Sequence, residues 1–350
     1  MSFLEQLIGS QSGLLVAFLI TVAVVVLTGI RLSIYGDALG DRTGLGSGLV
    51  GLIFLAAVTS LPELVVSLTS VIQNADLHKG ADLATGNMLG SNVFNLLILA
   101  FMVLVFPRRF EPRKLKQTHT DSIVYGLILL GIFTLAFISA RLNHAVLPGL
   151  RCNWITLLLP VAYGFILRRE HRQQQQQMDD EPEEQFPEEQ ALAHLSAGRF
   201  YATLIGLCGL IIGGGVVLSI LGSRMALPPA EGGFGLEASL IGTLFLAIAT
   251  SLPELVISFA SVRMGFLDMA VGNVLGSNMF NLLIIFVSDV AMRHGNLLEQ
   301  ADIKHSGSVG LIALLTLLAW RLLHAKTRKQ STTLALLMIA AYLTVLTFFA

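Results

Sequence analysis

Charge and cysteine are both scarce in this chain of 350 residues. Only 13% of the residues are charged, and the formal net charge is −1. Nucleic-acid-binding proteins need a basic surface to pair with phosphates, so this balance argues against nucleic acid as a partner. The two cysteines, Cys152 and Cys208, each lie in an apolar run. We expect them to be small buried side chains and not a disulfide.

Long hydrophobic runs fill most of the sequence. Hydrophobic residues make up 54% of the chain, and the mean hydropathy is +0.74. Apolar runs of about 20 residues are typical of membrane-spanning helices. We therefore predict an all-α polytopic protein of the lipid bilayer with ten transmembrane helices. The spans lie near 13–30, 45–73, 83–106, 121–140, 146–167, 200–221, 236–262, 268–291, 305–324 and 332–349.

The basic residues are unevenly distributed between the two sets of loops. With the N-terminus outside, sixteen of the 22 lysines and arginines fall on the inner side. The positive-inside rule therefore predicts both termini outside. It also places residues 168–199 in the cytoplasm, where five consecutive glutamines and a cluster of acidic residues indicate a solvated linker.

One sequence pattern occurs twice. Residues 51–71 match 242–262 at 14 of 21 positions, and residues 86–98 match 272–284 at 11 of 13 positions. Both copies place a carboxylate, hydroxyls and amides inside long apolar runs. A water-soluble protein has little reason to repeat such a pattern.

An odd number of spans in each half makes the two repeats inverted. With five spans per half, the second copy enters the membrane from the side opposite to the first. We predict two inverted five-helix repeats, residues 1–167 and 200–350, that bring the motifs 51–98 and 242–284 together near the midplane.

Each motif contains one glutamate, Glu63 or Glu254. A charge at the centre of a membrane helix costs about 2.5–3.5 kcal/mol on insertion scales. No basic residue lies at comparable depth in any predicted span, and two carboxylates brought together would repel each other. A bound cation, or protons, would relieve both effects. A protonated, hydrogen-bonded structural pair is the alternative.

A proline precedes each glutamate, at Pro62 and Pro253. Proline removes a backbone donor and clashes with the carbonyl four residues earlier. Carbonyls of the preceding turn, including those of Ala56 and Ala247, can therefore turn away from the helix axis toward an ion. A simple kink is the alternative.

Hydroxyl and amide side chains complete an oxygen-rich set. Hard cations such as Ca²⁺ and Na⁺ prefer such ligands to imidazole or thiolate. On the motif helices the set comprises Thr59, Ser60, Thr250 and Ser251, and on the partner helices Asn87, Ser91, Asn95, Asn273, Ser277 and Asn281. We expect Asn92 and Asn278 to be helix-packing or backbone-bonding amides and not ligands.

Other ionisable residues lie at span ends. We expect Asp82 and Asp268, which match between the repeats, to cap helix N-termini. We expect Asp289 to have a surface-facing structural role. None of the eight histidines lies near the centre of a predicted span, which weakens any proton relay built on imidazole.

At the motifs TSLPEL and GNxLGSNxFN, each present twice, the sequence resembles the sodium/calcium exchanger family of the calcium/cation antiporter superfamily, in its prokaryotic form. The resemblance implies a four-helix ion site made by spans two, three, seven and eight, with spans one and six sliding across it. It implies that Glu63 and Glu254 bind calcium. The further sodium or calcium ligands that it implies are Thr59, Ser60, Thr250, Ser251, Ser91 and Ser277, with the carbonyls of Ala56 and Ala247.

One position departs from the family pattern. Many such exchangers have an aspartate where this chain has Asn281, the counterpart of Asn95. The core charge is then −2 when both glutamates are ionised. Ca²⁺ would balance it, and three Na⁺ would leave +1. We expect no potassium dependence, while proton coupling stays open.

The sequence thus predicts a Ca²⁺/Na⁺ antiporter of the cell (inner) membrane that works by alternating access. We expect no enzymatic activity, no cofactor beyond the transported ions, and function as a monomer. Ca²⁺/H⁺ antiport is the main alternative. A cation channel is a weaker one, because channel pores more often form between subunits.

Overall fold

The computed structural model describes residues 10–73, 76–110, 112, 115, 118–142, 152–177, 192, 194–234, 250–292 and 295–349. Helices dominate this part of the chain. In order they are α1 (Gln11–Thr43), α2 (Gly46–Leu49), α3 (Ala56–Gln73), α4 (Leu77–Val105), α5 (Thr118–Arg141), α6 (Leu158–Gln177), α7 (Ala197–Ala226), α8 (Leu252–Met264), α9 (Leu267–Ala291), α10 (Leu297–Gln300), α11 (His305–Leu323) and α12 (Arg328–Phe349). A π-helical turn, Val50–Leu55, connects α2 to α3, and a 3₁₀ turn, Pro229–Glu231, follows α7.

Seven helices in the described part of the chain are long and apolar enough to cross a membrane. They are α1, the continuous stretch Gly46–Gln73, α4, α5, α7, α9 and α11. The expected all-helical membrane protein is therefore confirmed. The arrangement as ten inverted spans stays a prediction, and residues 236–249 of the seventh expected span lie outside the described residues.

The fifth expected span is shorter than the sequence indicated. Helix α6 begins at Leu158, and the described residues before it form turns. Asn153 explains the late start, because its side-chain oxygen accepts the Ile155 N–H at 3.0 Å and its carbonyl accepts the Thr156 hydroxyl at 2.6 Å. Such local bonds compete with helix formation.

Two helices lie at the centre of the molecule and two at its edge. In their most apolar stretches, α4 is 78% buried and α9 is 72% buried, whereas α1 is only 28% buried. Helices α1 and α7 pack against each other and leave large apolar side chains such as Leu27 and Ile205 exposed. This exposure suits contact with lipid and not with water.

Glycines allow α9 to approach the first motif closely. A Cβ built at Gly276 would overlap the carbonyl oxygen of Leu52, and one built at Gly272 would meet the carbonyl oxygen of Gly48. Small residues are what membrane helices use for such close packing. Helix α9 of the second repeat is thereby held against the π-helical turn that precedes α3.

Neither of the two aspartates occupies the N-cap position of its helix. Asp268 lies in the first turn of α9, where a negative charge is favourable, but the N-cap residue is Phe266. Asp82 does not cap α4, because that helix begins at Leu77 and is capped by Asp76, whose carboxylate accepts the Lys79 N–H at 3.2 Å. Both Asp82 and Asp268 instead contact a histidine of another helix.

Asp289 is fully buried, so the expected surface-facing position is wrong. Its carboxylate accepts the backbone N–H groups of Asn153 and Leu297 at 3.0 and 3.1 Å, and the Thr156 hydroxyl at 2.9 Å. A hydrophobicity pattern could not show this, because Asn153 and Thr156 lie more than 130 positions away in the sequence and Leu297 lies beyond the end of α9. Cys152 and Cys208 are both free thiols, as expected.

Candidate functional site

Helices α3, α4 and α9 and the start of α8 bring the two sequence motifs to one place. Eleven of the side chains in the predicted oxygen-rich set are at most 4% exposed, whereas Asn87 is half-buried. The eleven are Thr59, Ser60, Glu63, Ser91, Asn95, Thr250, Ser251, Glu254, Asn273, Ser277 and Asn281. Ala56 is fully buried as well, whereas Ala247 lies outside the described residues.

The two glutamates are linked through serines of the opposite repeat. Ser251 donates to Oε1 of Glu63 at 3.4 Å, and Ser60 donates to Oε1 of Glu254 at 3.2 Å. Each glutamate is therefore bound by the serine that precedes the other glutamate by three residues. This exchange brings two segments that are almost 200 positions apart in the sequence into a single polar cluster.

Further hydroxyl groups connect these segments to α4 and α9. Ser91 lies 3.5 Å from Oε1 of Glu63 and 3.3 Å from the Ser251 hydroxyl. On the other side, the Thr59 hydroxyl lies 3.3 Å from that of Ser277. Ser91, Asn95, Ser277 and Asn281, at four-residue spacing on α4 and α9, form a polar stripe on each helix, and through Ser91 and Ser277 these stripes contact the two motif helices.

Four oxygen atoms in this cluster have no hydrogen-bond partner among the described residues. They are Oε2 of Glu63, Oε2 of Glu254, Oδ1 of Asn95 and Oδ1 of Asn281. Within the described ranges no lysine or arginine forms an ion pair with either glutamate. Buried oxygen atoms are normally satisfied, so a group of unpaired ones fits a hard cation.

Asn87 and Asn273 each bind a serine of the neighbouring motif helix. Asn87 donates to the Ser67 hydroxyl at 3.1 Å, and Asn273 donates to the Ser258 hydroxyl at 3.1 Å. Sequence reasoning missed both serines. The signal was present, because Ser67 and Ser258 are identical positions of the two repeats.

Asn92 has a role that the sequence described only in general terms. Its side-chain oxygen accepts the amide N–H of Asn281 at 3.0 Å. The expectation that Asn92 is a packing amide and not a ligand is consistent with this bond. The hydrogen bond between Asn92 and Asn281 connects α4 of one repeat to α9 of the other.

The prolines differ between the two copies. Pro62 lies inside α3, whereas Pro253 lies in the first turn of α8, where a missing N–H costs little. The carbonyl of Ala56 accepts the Thr59 hydroxyl at 3.3 Å. Both proline rings contact α7, where a Cβ built at Gly215 would overlap Pro62 and lie 3.3 Å from Cγ of Pro253.

Comparison with known proteins identifies the family. Residues 13–167 and 197–350 match the family described as sodium/calcium exchanger protein. The chain belongs to this family. It is therefore a multi-pass membrane protein of a cation-antiporter family, which confirms the resemblance seen in the two motifs.

Three relatives illustrate the range of similarity. Inner membrane protein YrbG of Escherichia coli (strain K12) is 28% identical over 296 residues, which cover 83% of this chain and 84% of YrbG. Putative antiporter CaxA of Alkalimonas amylolytica is 27% identical over 317 residues, which cover 89% and 90%. A solved structure of the sodium-calcium exchanger NCX_Mj, soaked with Na⁺ and Sr²⁺, has a TM-score of 0.66 at 21% identity and covers 95% of this chain and 98% of that one. This last likeness shows a shared fold.

Proposed function

We propose that this chain is a secondary antiporter that exchanges Ca²⁺ for Na⁺ by alternating access. Its two inverted five-helix repeats, residues 1–167 and 200–350, enclose one ion site near the midplane. The linker 168–199 is cytoplasmic, and both termini lie outside the cell (inner) membrane. The similarity to NCX_Mj, a sodium-calcium exchanger, and to YrbG, an inner membrane protein, supports this proposal.

The observation that carries the proposal is the pair of buried carboxylates. Glu63 and Glu254 are both fully buried, each has one unpaired oxygen among the described residues, and the side chains around them offer oxygen atoms. Two uncompensated carboxylates in a membrane interior are costly. Cations of total charge near +2 remove that cost, and Ca²⁺ supplies this charge in one ion.

The packing of α7 suggests how ion binding controls the sliding of the outer helices. Helix α7 contacts Pro62 and Pro253, which stand next to the two glutamates. If α1 and α7 slide across this surface, an empty site would expose its carboxylates to an apolar interface. Movement is then favourable only when Ca²⁺ or Na⁺ occupies the site, which couples the two fluxes.

Ca²⁺/H⁺ exchange is the second candidate, because two protons neutralise the same two carboxylates. Asn281 does not titrate, so a proton-coupled cycle would depend on Glu63 and Glu254 alone among the proposed ligands. The similarity to CaxA, a putative antiporter, is compatible with either counter-ion.

Calcium uptake into everted membrane vesicles separates the two candidates. For Ca²⁺/Na⁺ exchange, we expect uptake driven by an imposed sodium gradient and unchanged by a protonophore. Uptake that requires a proton gradient and ignores sodium would show the proton-coupled antiporter instead. Flux that proceeds without any counter-ion would indicate a channel.

A further inference from the structure

Two histidine–aspartate pairs join the repeats at a distance from the ion site. Nε2 of His119, at the start of α5, lies 2.6 Å from Oδ1 of Asp268 on α9. Nε2 of His305, at the start of α11, lies 3.2 Å from Oδ1 of Asp82 on α4. In each pair the histidine belongs to one repeat and the aspartate to the other.

The two pairs occupy equivalent positions of the repeats. His119 and His305 are separated by 186 positions, and so are Asp82 and Asp268. The same separation relates the ligand stripes on α4 and α9, for example Ser91 and Ser277. A contact that recurs with the repeat is a property of the architecture and not of one surface.

Each aspartate stands on a helix that carries ion-site residues. Asp82 precedes Asn87 on α4 by five residues, and Asp268 precedes Asn273 on α9 by five residues. Five residues of α-helix span about 7.5 Å along the axis. A hydrogen bond at the aspartate therefore fixes the position, along the helix axis, of the ion-site residues that follow it on the same helix.

The charged surroundings of His119 are mainly acidic. Besides Asp268 on α9, Glu170 on α6 lies close enough for electrostatic attraction, and its carboxylate accepts the Ser122 hydroxyl at 2.8 Å. Asp121 on the same helix as His119 and Arg169 beside Glu170 also contribute to the local field. The imidazole is nearly inaccessible, with 4% of its side chain exposed.

The surroundings of His305 are more open and carry both signs of charge. Its side chain is 16% exposed, and its partner Asp82 is 41% exposed. Asp302 and Arg141 also face it. The Lys304 backbone N–H donates to Asp302 and holds the pKa of that carboxyl below its usual value, so Asp302 remains an anion.

We propose that His119–Asp268 and His305–Asp82 are matched positioning pairs that hold α9 and α4 in register, and that each tightens when its histidine is protonated from its own face of the membrane. Histidine is the side chain whose charge ordinarily changes between about pH 5 and 8. Protonation of the imidazole adds the attraction between opposite charges to the hydrogen bond that already joins the imidazole to the aspartate. The transport readout of this inference rests on the proposed antiport function.

One-sided pH titration of calcium flux tests the proposal. We expect wild type to have a higher apparent Ca²⁺ affinity than His119→Gln when one face is at about pH 5.5, by a factor of up to about ten, and the two to converge at about pH 8.5. His305→Gln should show the same convergence for pH changes at the opposite face. Competition between protons and Ca²⁺ at the glutamates affects wild type and variant alike. The ratio of their apparent Ca²⁺ affinities therefore reports on the histidine–aspartate pair alone.

Two histidines whose described partners are carbonyl groups and not carboxylates provide matched controls. The exposed His78 contacts the Gln300 carbonyl, and the exposed His324 contacts the Trp320 carbonyl on its own helix. His78→Gln and His324→Gln should have the same apparent Ca²⁺ affinity as wild type at every pH. A ratio for His119→Gln or His305→Gln that is independent of pH, or that responds to the same face for both, overturns the proposal.

A stability measurement decides the pairing even if the protein carries no calcium. The midpoint of thermal unfolding is measured for His119→Gln, Asp268→Asn and the double variant in detergent. We expect the two single effects to be non-additive at about pH 5.5 and close to additive at about pH 8.5, because the charged pair exists only when the imidazole is protonated. Additive effects at both pH values would refute the pair independently of transport.

Discussion

Asn95 and Asn281 stand at equivalent positions of the two repeats, yet their amides are bound differently. Asn281 donates an N–H to Asn92 at 3.0 Å and keeps only its oxygen unpaired. Neither polar atom of Asn95 has a partner among the described residues, and the side-chain oxygen of Asn278, the counterpart of Asn92, is unpaired as well. The reciprocal bond between Asn95 and Asn278 is therefore missing from the described hydrogen bonds.

This difference shows what a duplicated sequence motif does and does not make equal. The pairing of serine with glutamate recurs in both copies, because it depends on identical residues at identical spacing. The final orientation of each amide depends on its neighbours. Asn281 is held in one orientation by Asn92, whereas Asn95 can turn either its oxygen or its nitrogen to the site, and only the oxygen can bind a cation.

Removing either carboxylate should have the largest effect and should be the same in both copies. Glu63→Gln and Glu254→Gln each lower the negative charge of the site by one, so calcium transport should fall by at least about a hundredfold. The check is radioactive calcium uptake in vesicles, with protein amount measured by immunoblot. Glu299→Gln, on an exposed carboxylate, should transport normally. Retained transport in both site variants would refute the site assignment.

Filling the close contact between α9 and the π-helical turn should destabilise the packing of the two copies against each other. Gly276→Ala places a methyl group on the Leu52 carbonyl oxygen, and we expect it to lower the free energy of unfolding by about 1–3 kcal/mol. Thermal unfolding in detergent measures this. Gly131→Ala, on an exposed position of α5 with no neighbour within 4 Å among the described residues, is the control. Equal loss of stability in the two variants would contradict the assigned contact.

The two serines that bind the glutamates should contribute unequally to calcium affinity. Ser251 lies near both Glu63 and Ser91, whereas Ser60 has Glu254 as its described partner. Ser251→Ala should therefore raise the calcium concentration for half-maximal transport by about tenfold and Ser60→Ala by less, since a hydrogen bond to a charged group contributes about 1.5–3 kcal/mol.

Initial rates of calcium uptake at several calcium concentrations measure both values. The conservative changes Ser251→Thr and Ser60→Thr keep the hydroxyl group and serve as controls. A larger effect for Ser60→Ala than for Ser251→Ala would show that the two glutamates are supported in a different order of strength.

The sequence predicted the helical membrane fold and which polar residues are buried within it, because both depend on local pattern; that these residues bind ions stays a prediction. Apolar runs locate helices, and the duplicated motif marks polar residues that a membrane helix has no other reason to contain. It could not predict the burial of Asp289 or the late start of α6, because both depend on bonds between distant or irregular segments. His119 and His305 also escaped notice. A search for the repeat separation of 186 residues beyond the two motifs would have found them.

The smallest expected effect comes from removing the side-chain amide of Asn92 or of its counterpart Asn278. Asn92→Ala removes the acceptor that orients Asn281 and should raise the calcium concentration for half-maximal transport by about threefold to tenfold. Asn278→Ala removes an oxygen that is already unpaired, beside a cavity of ≈ 20 Å³ lined by both Asn92 and Asn278. A cavity of this size holds about one water molecule, so the lost amide can be replaced by solvent and transport should change by less than about twofold.

Calcium uptake at graded concentrations compares the two variants directly. Equal effects would mean that Asn95 relies on Asn278 during transport as Asn281 relies on Asn92, and that the two copies become equivalent when an ion is bound.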